Sequence, residues 1–203
     1  MLPVASELQH ISPRLSIWHT YDRTAKAELF STAVITEKGT VVIDPVPLTE
    51  SADQELNELG RIAVIILTNV NHVRAAISFR DRYAAPIFAT AELISDVPEA
   101  QALTDGMIIH ELRMIAIDGA APGELALHDP RDGGTVIIGD ALINFDPYGF
   151  TFLPRKYCLN QKVMIRCLRH LLDLEFRRLL FAHGTPITTR AHASLQSLLD
   201  EAQ

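Results

Sequence analysis

The stretch Ala63-Val64-Ile65-Ile66-Leu67-Thr68-Asn69-Val70-Asn71-His72-Val73-Arg74-Ala75-Ala76 decides the fold. Its first five residues are apolar at every position. A half-exposed strand alternates apolar and polar residues, so an unbroken run predicts a strand covered on both faces. The longest apolar run, 62–67, is much too short to span a bilayer. Polar residues then interrupt the run. From Val73 to Ala84 apolar residues return at Val73, Ala76, Ile77 and Tyr83, which is helical spacing. Pro86-Ile87-Phe88-Ala89 reads as the next strand. A strand–helix–strand unit of this kind predicts parallel pairing.

On the N-terminal side, Glu28 to Ile43 reads as a β-hairpin with its turn at Lys38-Gly39, stopped by Asp44-Pro45. A short helix is predicted over Ser51 to Leu59, with Ser51 and Gln54 as a capping box and Gly60 as the stop. On the C-terminal side, Met107 to Ile138 breaks at Asp118-Gly119, Pro122-Gly123 and Asp132-Gly133-Gly134, the pattern of a β-meander. Helices are predicted over Gln161–Leu174 and Arg190–Ala202, with a buried strand at Leu179-Leu180-Phe181-Ala182 between them. Two blocks of strands plus helices result, with no linker between them. The expected class is α/β (α+β), an αββα sandwich forming a single domain over 1–203.

The composition is ordinary for a globular chain: 48% hydrophobic and 21% charged over 203 residues. A net charge of -7 speaks against a nucleic-acid partner, which calls for a basic face. The first 21 residues lack a basic start followed by an apolar run, so no export signal and no membrane role are expected. Cys158 and Cys167 lie outside any metal-type spacing and read as reduced thiols of a cytoplasmic protein.

The fragment from Ile65 to Ala76 has the frame of the metallo-β-lactamase signature, in which a buried strand ends in T-H-x-H-x-D-H and small residues open a helix. Other landmarks follow the family's order. Val42-Ile43-Asp44-Pro45 resembles the early "ID" strand end, and Ala121-Pro122-Gly123-Glu124 resembles the P-G-H turn. Gly139-Asp140-Ala141-Leu142 resembles "GDALF", and Phe181-Ala182-His183-Gly184-Thr185-Pro186 resembles "GHGxP". The resemblance to the metallo-β-lactamase-fold hydrolases covers roughly residues 30 to 190.

The family's two zinc ions imply seven ligand positions. One zinc takes three histidines, at positions held here by Asn69, Asn71 and Glu124. The second takes an Asp, a His and the late His, held here by Val73, Arg74 and His183. The bridging Asp is Asp140. Only Asp140 and His183 match. Zinc needs imidazole, thiolate or carboxylate ligands. Amides are poor ligands, valine has no donor, and arginine carries a fixed positive charge. Without the ion there is no ready way to bring a water pKa down to about 7 and supply hydroxide.

The resemblance therefore implies a polar cleft of Asn69, Asn71, His72, Arg74, Glu124, Asp140 and His183, with no metal expected. Asp140 and His183 are the candidate catalytic residues, and Arg74 is a candidate counter-charge for Asp140 and Glu124. Asn69 and Asn71 are equally suited to cap a helix, and Asp44 is expected to support the signature loop. Asp146 and Tyr148 fall in a loop that shapes substrate access in the family, and Arg155 and Lys156 form a small basic pair. The first reading is a non-catalytic homologue that takes a small polar ligand or a protein partner. The second is a hydrolase of an ester, thioester or lactone, with one zinc or other divalent metal held by Glu124, Asp140 and His183. The third is metal-free chemistry on Asp140 and His183, for which no nucleophile stands out.

Overall fold

An apolar run without alternation is satisfied where both faces of a sheet are covered, and every residue of the strand at 62–66 is buried. The computed structural model describes residues 2–202. The chain divides into two compact units, Met1–Leu103 and Thr104–Gln203. The first and last residues of the expected 1–203 domain lie outside the described residues.

Unit 1 holds a seven-stranded sheet whose spatial order is its chain order. It begins with β1 (Gln9–Ser12), β2 (Leu15–Asp22), β3 (Ala27–Thr36) and β4 (Gly39–Ile43), followed by α1 (Glu50–Glu58) and β5 (Ile62–Ile66). After these come α2 (Ala76–Tyr83), β6 (Ile87–Ala89) and β7 (Gln101–Ala102). β1 to β4 are antiparallel, and β4 to β7 are parallel, as the strand–helix–strand reading requires. α1 and α2 bury Ala52, Leu56, Ala76 and Phe79 against Trp18, Val42 and Ile65 of the sheet and against Leu67 just beyond it. Trp18 is fully buried, its ring parallel to Phe79, and its indole N–H donates to the Val46 carbonyl at 3.0 Å. β1 and β2 carried no sequence assignment. β2 is buried at Leu15-Ser16-Ile17-Trp18 without alternation, so the period of two is absent.

Two helix starts differ from expectation. α1 is capped by Thr49, whose Oγ1 accepts from the Ala52 amide at 3.5 Å, and not by Ser51. Thr49→Ala should therefore cost about 1 kcal/mol in urea denaturation, and Ser51→Ala close to nothing. The helix expected from Val73 begins only at Ala76, after a 3-10 turn at Val70–His72. Arg74 between them sits at φ 40°, a left-handed conformation that interrupts the helix.

Unit 2 holds β8 (Ile108–Ile109), β9 (Leu112–Ala116), β10 (Leu125–Asp129) and β11 (Thr135–Ile138), which form the expected antiparallel meander. A separate two-stranded hairpin follows, β12 (Leu142–Phe145) and β13 (Gly149–Phe152). After it come α3 (Gln161–Arg169), β14 (Arg178–Phe181) and α4 (Ala191–Glu201). β14 pairs parallel with β11, giving the sheet order β14-β11-β10-β9-β8. α3 and α4 bury Met164, Leu168, Leu195 and Leu199 against Ala126, Val136, Ile138 and Leu179. α3 ends at Arg169, earlier than expected, and continues as a 3-10 turn over His170–Asp173. Among the described residues no helix is long and apolar enough to cross a membrane.

Candidate functional site

In unit 1 the signature segment leaves β5 through Leu67 and Thr68, both fully buried. Asn69 is extended, and its Oδ1 accepts from the Asn71 amide at 2.8 Å, so it caps the 3-10 turn. Asn71 is exposed and His72 is buried. The turn is held by Asp44, at the end of β4. The Asp44 Oδ1 accepts from the Thr68 amide at 2.9 Å, and its Oδ2 from the Thr68 hydroxyl at 2.5 Å. His72 Nδ1 lies 2.9 Å from that Oδ2 and 2.7 Å from Thr68 Oγ1. Thr68 has given its one proton to Asp44, so it can only accept from His72. Nδ1 then carries hydrogen, and the lone pair of the neutral ring is on Nε2.

Arg74 closes the same network. Its Nη1 donates to the carbonyls of Phe30, at 2.6 Å, and Asp44, at 3.1 Å. Burial raises the cost of ionising Asp44. The positive form of His72 and its hydrogen bond, then Arg74 and Thr68, outweigh that cost and hold the carboxyl below its ordinary value. Arg74 thus serves as counter-charge to Asp44, a partner the sequence reading did not assign to it. Asp44 supports the signature loop as expected. Thr68 had no assigned role, although the quoted motif contained it.

In unit 2 the parallel register explains a second cluster. Ile138 of β11 pairs with Phe181 of β14. Asp140 and His183 each lie two residues beyond that pair and so emerge side by side. His183 Nε2 is 3.2 Å from Asp140 Oδ1. Glu124 is buried at the start of β10, and its Oε1 accepts from the Ala141 amide at 2.9 Å. It therefore braces the turn that presents Asp140. Asn144 of β12 clamps the other side. Its amide donates to the His183 carbonyl, its carbonyl accepts from the Thr185 amide, and its Nδ2 donates to the Thr185 carbonyl at 2.6 Å. Asn144 had no local signal in the sequence, because its partners lie some forty residues away.

The other flagged residues of this unit are peripheral. Asp146 and Tyr148 form the exposed tip of the β12–β13 hairpin, and Arg155 and Lys156 an exposed 3-10 turn. Burial, with the Glu124 charge adding to it, pushes the Cys158 thiol above its ordinary value, which makes it a poor nucleophile. A hollow of about 450 Å³ lined by residues including Leu172, Phe176, Arg177 and His192 contains none of the predicted site residues. Asp173 and Glu175 also line it, and its histidine is bonded to backbone: His192 Nε2 lies 3.0 Å from the Leu172 carbonyl oxygen.

The description "Metallo-beta-lactamase superfamily" belongs to a family model that matches residues 8–201. Comparison with curated proteins gives no match. Among solved structures, DIM-1 metallo-beta-lactamase exposed to ceftazidime is similar at 14% identity and TM-score 0.75, covering 100% of both chains. A metallo-beta-lactamase from Pontibacter korlensis is similar at 16% identity and TM-score 0.72, with 96% of this chain and 98% of that one covered. TTHA1623 in a di-iron-bound form is similar at 21% identity and TM-score 0.63, with 87% and 96% covered. These neighbours share the α/β sandwich fold, and the family model matches residues 8–201, which include most of both units; the chain belongs to the metallo-beta-lactamase superfamily.

Proposed function

We propose that this protein keeps the metallo-beta-lactamase scaffold as one domain, lacks the dinuclear zinc centre, and binds a small polar ligand or a protein partner without zinc-hydrolase activity. The observation that carries this reading is Arg74. It occupies a ligand position of the signature, and its guanidinium is tied to the Phe30 and Asp44 carbonyls. A fixed cation at a ligand position opposes a metal ion. The rest of the donor set points the same way. Asn69 caps the 3-10 turn, and Val73 has no donor. The residues present do not fit the family's pair of metals. Polar groups for a ligand are Asn71 and His72 in unit 1, and Asp140 and His183 in unit 2. The free, half-buried thiols Cys158 and Cys167 support a cytoplasmic location.

A second reading is favoured by the Asp140–His183 adjacency. Asp140, His183 and Glu124 are donors of acceptable type for one divalent metal, acting on an ester, thioester or lactone. Elemental mass spectrometry of untagged protein, before and after dialysis with zinc, separates the two. The first reading expects metal close to zero per chain in both samples. One metal per chain, lost in Asp140→Ala and His183→Ala, would replace it with the second.

A further inference from the structure

β13 is an outer strand of four residues. Its residues Gly149-Phe150-Thr151-Phe152 include no charge and no proline, the devices that keep natural edge strands from pairing with other chains. The direction of its open edge follows from β12. Asn144 turns its N–H and C=O toward His183 and Thr185. The Asn144–Phe150 pair is therefore a non-hydrogen-bonded one. Phe150 aims its backbone N–H and C=O outward, and by alternation so does Phe152. Among the described residues neither has a backbone partner on that side. Tyr148 and Tyr157, each 60% exposed, and Leu159, 69% exposed, flank the strand. Asp146 precedes it and Arg155 and Lys156 follow it, all three exposed.

We propose that β13 pairs antiparallel with β13 of a second copy of this chain, about a two-fold axis at Thr151. Phe150 of each copy then exchanges both backbone bonds with Phe152 of the other. Exposed Asp146 lies ahead of the strand and exposed Arg155 and Lys156 lie behind it, so antiparallel pairing sets the acidic end of one copy beside the basic end of the other. Opposite charges meet at both ends of the joint, as two-fold symmetry requires. The chain carries a net charge of -7, so two copies repel on average. The local basic pair is what selects this edge over other faces. Phe150 also packs on Phe181, with ring centres 5.7 Å apart.

Sedimentation velocity over a concentration series tests this, with circular dichroism confirming that each variant is folded. Wild type should sediment as a dimer of the 22.5 kDa chain and dissociate as salt is raised. Thr151→Lys places like charges across the axis and should give a monomer. Asp146→Lys should weaken association roughly tenfold, and adding Arg155→Glu and Lys156→Glu to it should restore the dimer. A wild type that stays monomeric at every concentration would overturn the proposal. So would a dimer that Thr151→Lys leaves intact, or one whose strength ignores the charge exchange.

Discussion

Asp44→Ala should lower the unfolding free energy by about 3–5 kcal/mol, the cost of removing one partner from a buried ion pair. Asp44 is 2% exposed, and its carboxylate accepts from the Thr68 amide, the Thr68 hydroxyl and His72 Nδ1. Alanine leaves all three donors without that acceptor and removes the counter-charge of Arg74. It also has to adopt φ 50°, which aspartate and asparagine tolerate better than alanine. Asp44→Asn keeps the backbone and one acceptor, so it should cost less than Asp44→Ala.

The pH dependence has a definite sign. The folded carboxyl is held below its ordinary value of 3.8. Its contribution is therefore complete above that value and is lost as the pH falls toward the lower folded value. The stability gap between wild type and Asp44→Asn should be largest at about pH 7 and shrink below about pH 4 in urea denaturation. A gap that stays constant into acid would show that the charge on Asp44 contributes nothing.

Gly184→Ala should cost roughly 4 kcal/mol, from strain and overpacking together. Gly184 sits at φ 110°, outside the region that alanine reaches easily. A Cβ there would stand 2.1 Å from the Asn144 carbonyl oxygen and 2.3 Å from its carbon. Both are backbone atoms, and that same carbonyl accepts from the Thr185 amide, so neither can swing aside. The strain falls beside His183 and should separate it from Asp140, which a histidine nitrogen chemical shift would report. Gly106→Ala is the control. Gly106 also has a positive φ, 75°, but a Cβ there meets nothing within 4 Å. It should cost only the left-handed penalty of about 1–2 kcal/mol. Equal losses at the two positions would remove the steric argument.

The sequence by itself determined what depends on near neighbours. The unbroken run at residues 63–67 required a strand buried on both faces, and the apolar spacing after Val73 required a helix. The Lys38-Gly39 turn placed the β3–β4 hairpin, and the glycine breaks placed the meander. The order of the motifs was enough to identify the family and to set Asp140 and His183 at strand ends. It was also enough to show that most ligand positions had changed residue type.

Tertiary structure decided what each changed residue does. Arg74 finds its acceptors on Phe30 and Asp44, far back in the chain, and Glu124 finds the Ala141 amide across a turn. Helical and strand periods report which face a side chain occupies, and carry no information on which distant carbonyl will lie opposite it. That is set by sheet register, so Asp140 meets His183 because β11 and β14 pair Ile138 with Phe181. The cap of α1 lies at Thr49 rather than Ser51, and α2 starts at Ala76 rather than Val73. Local propensity allowed several starts, and the packing around Asp44 and Arg74 selected where the α2 helix begins.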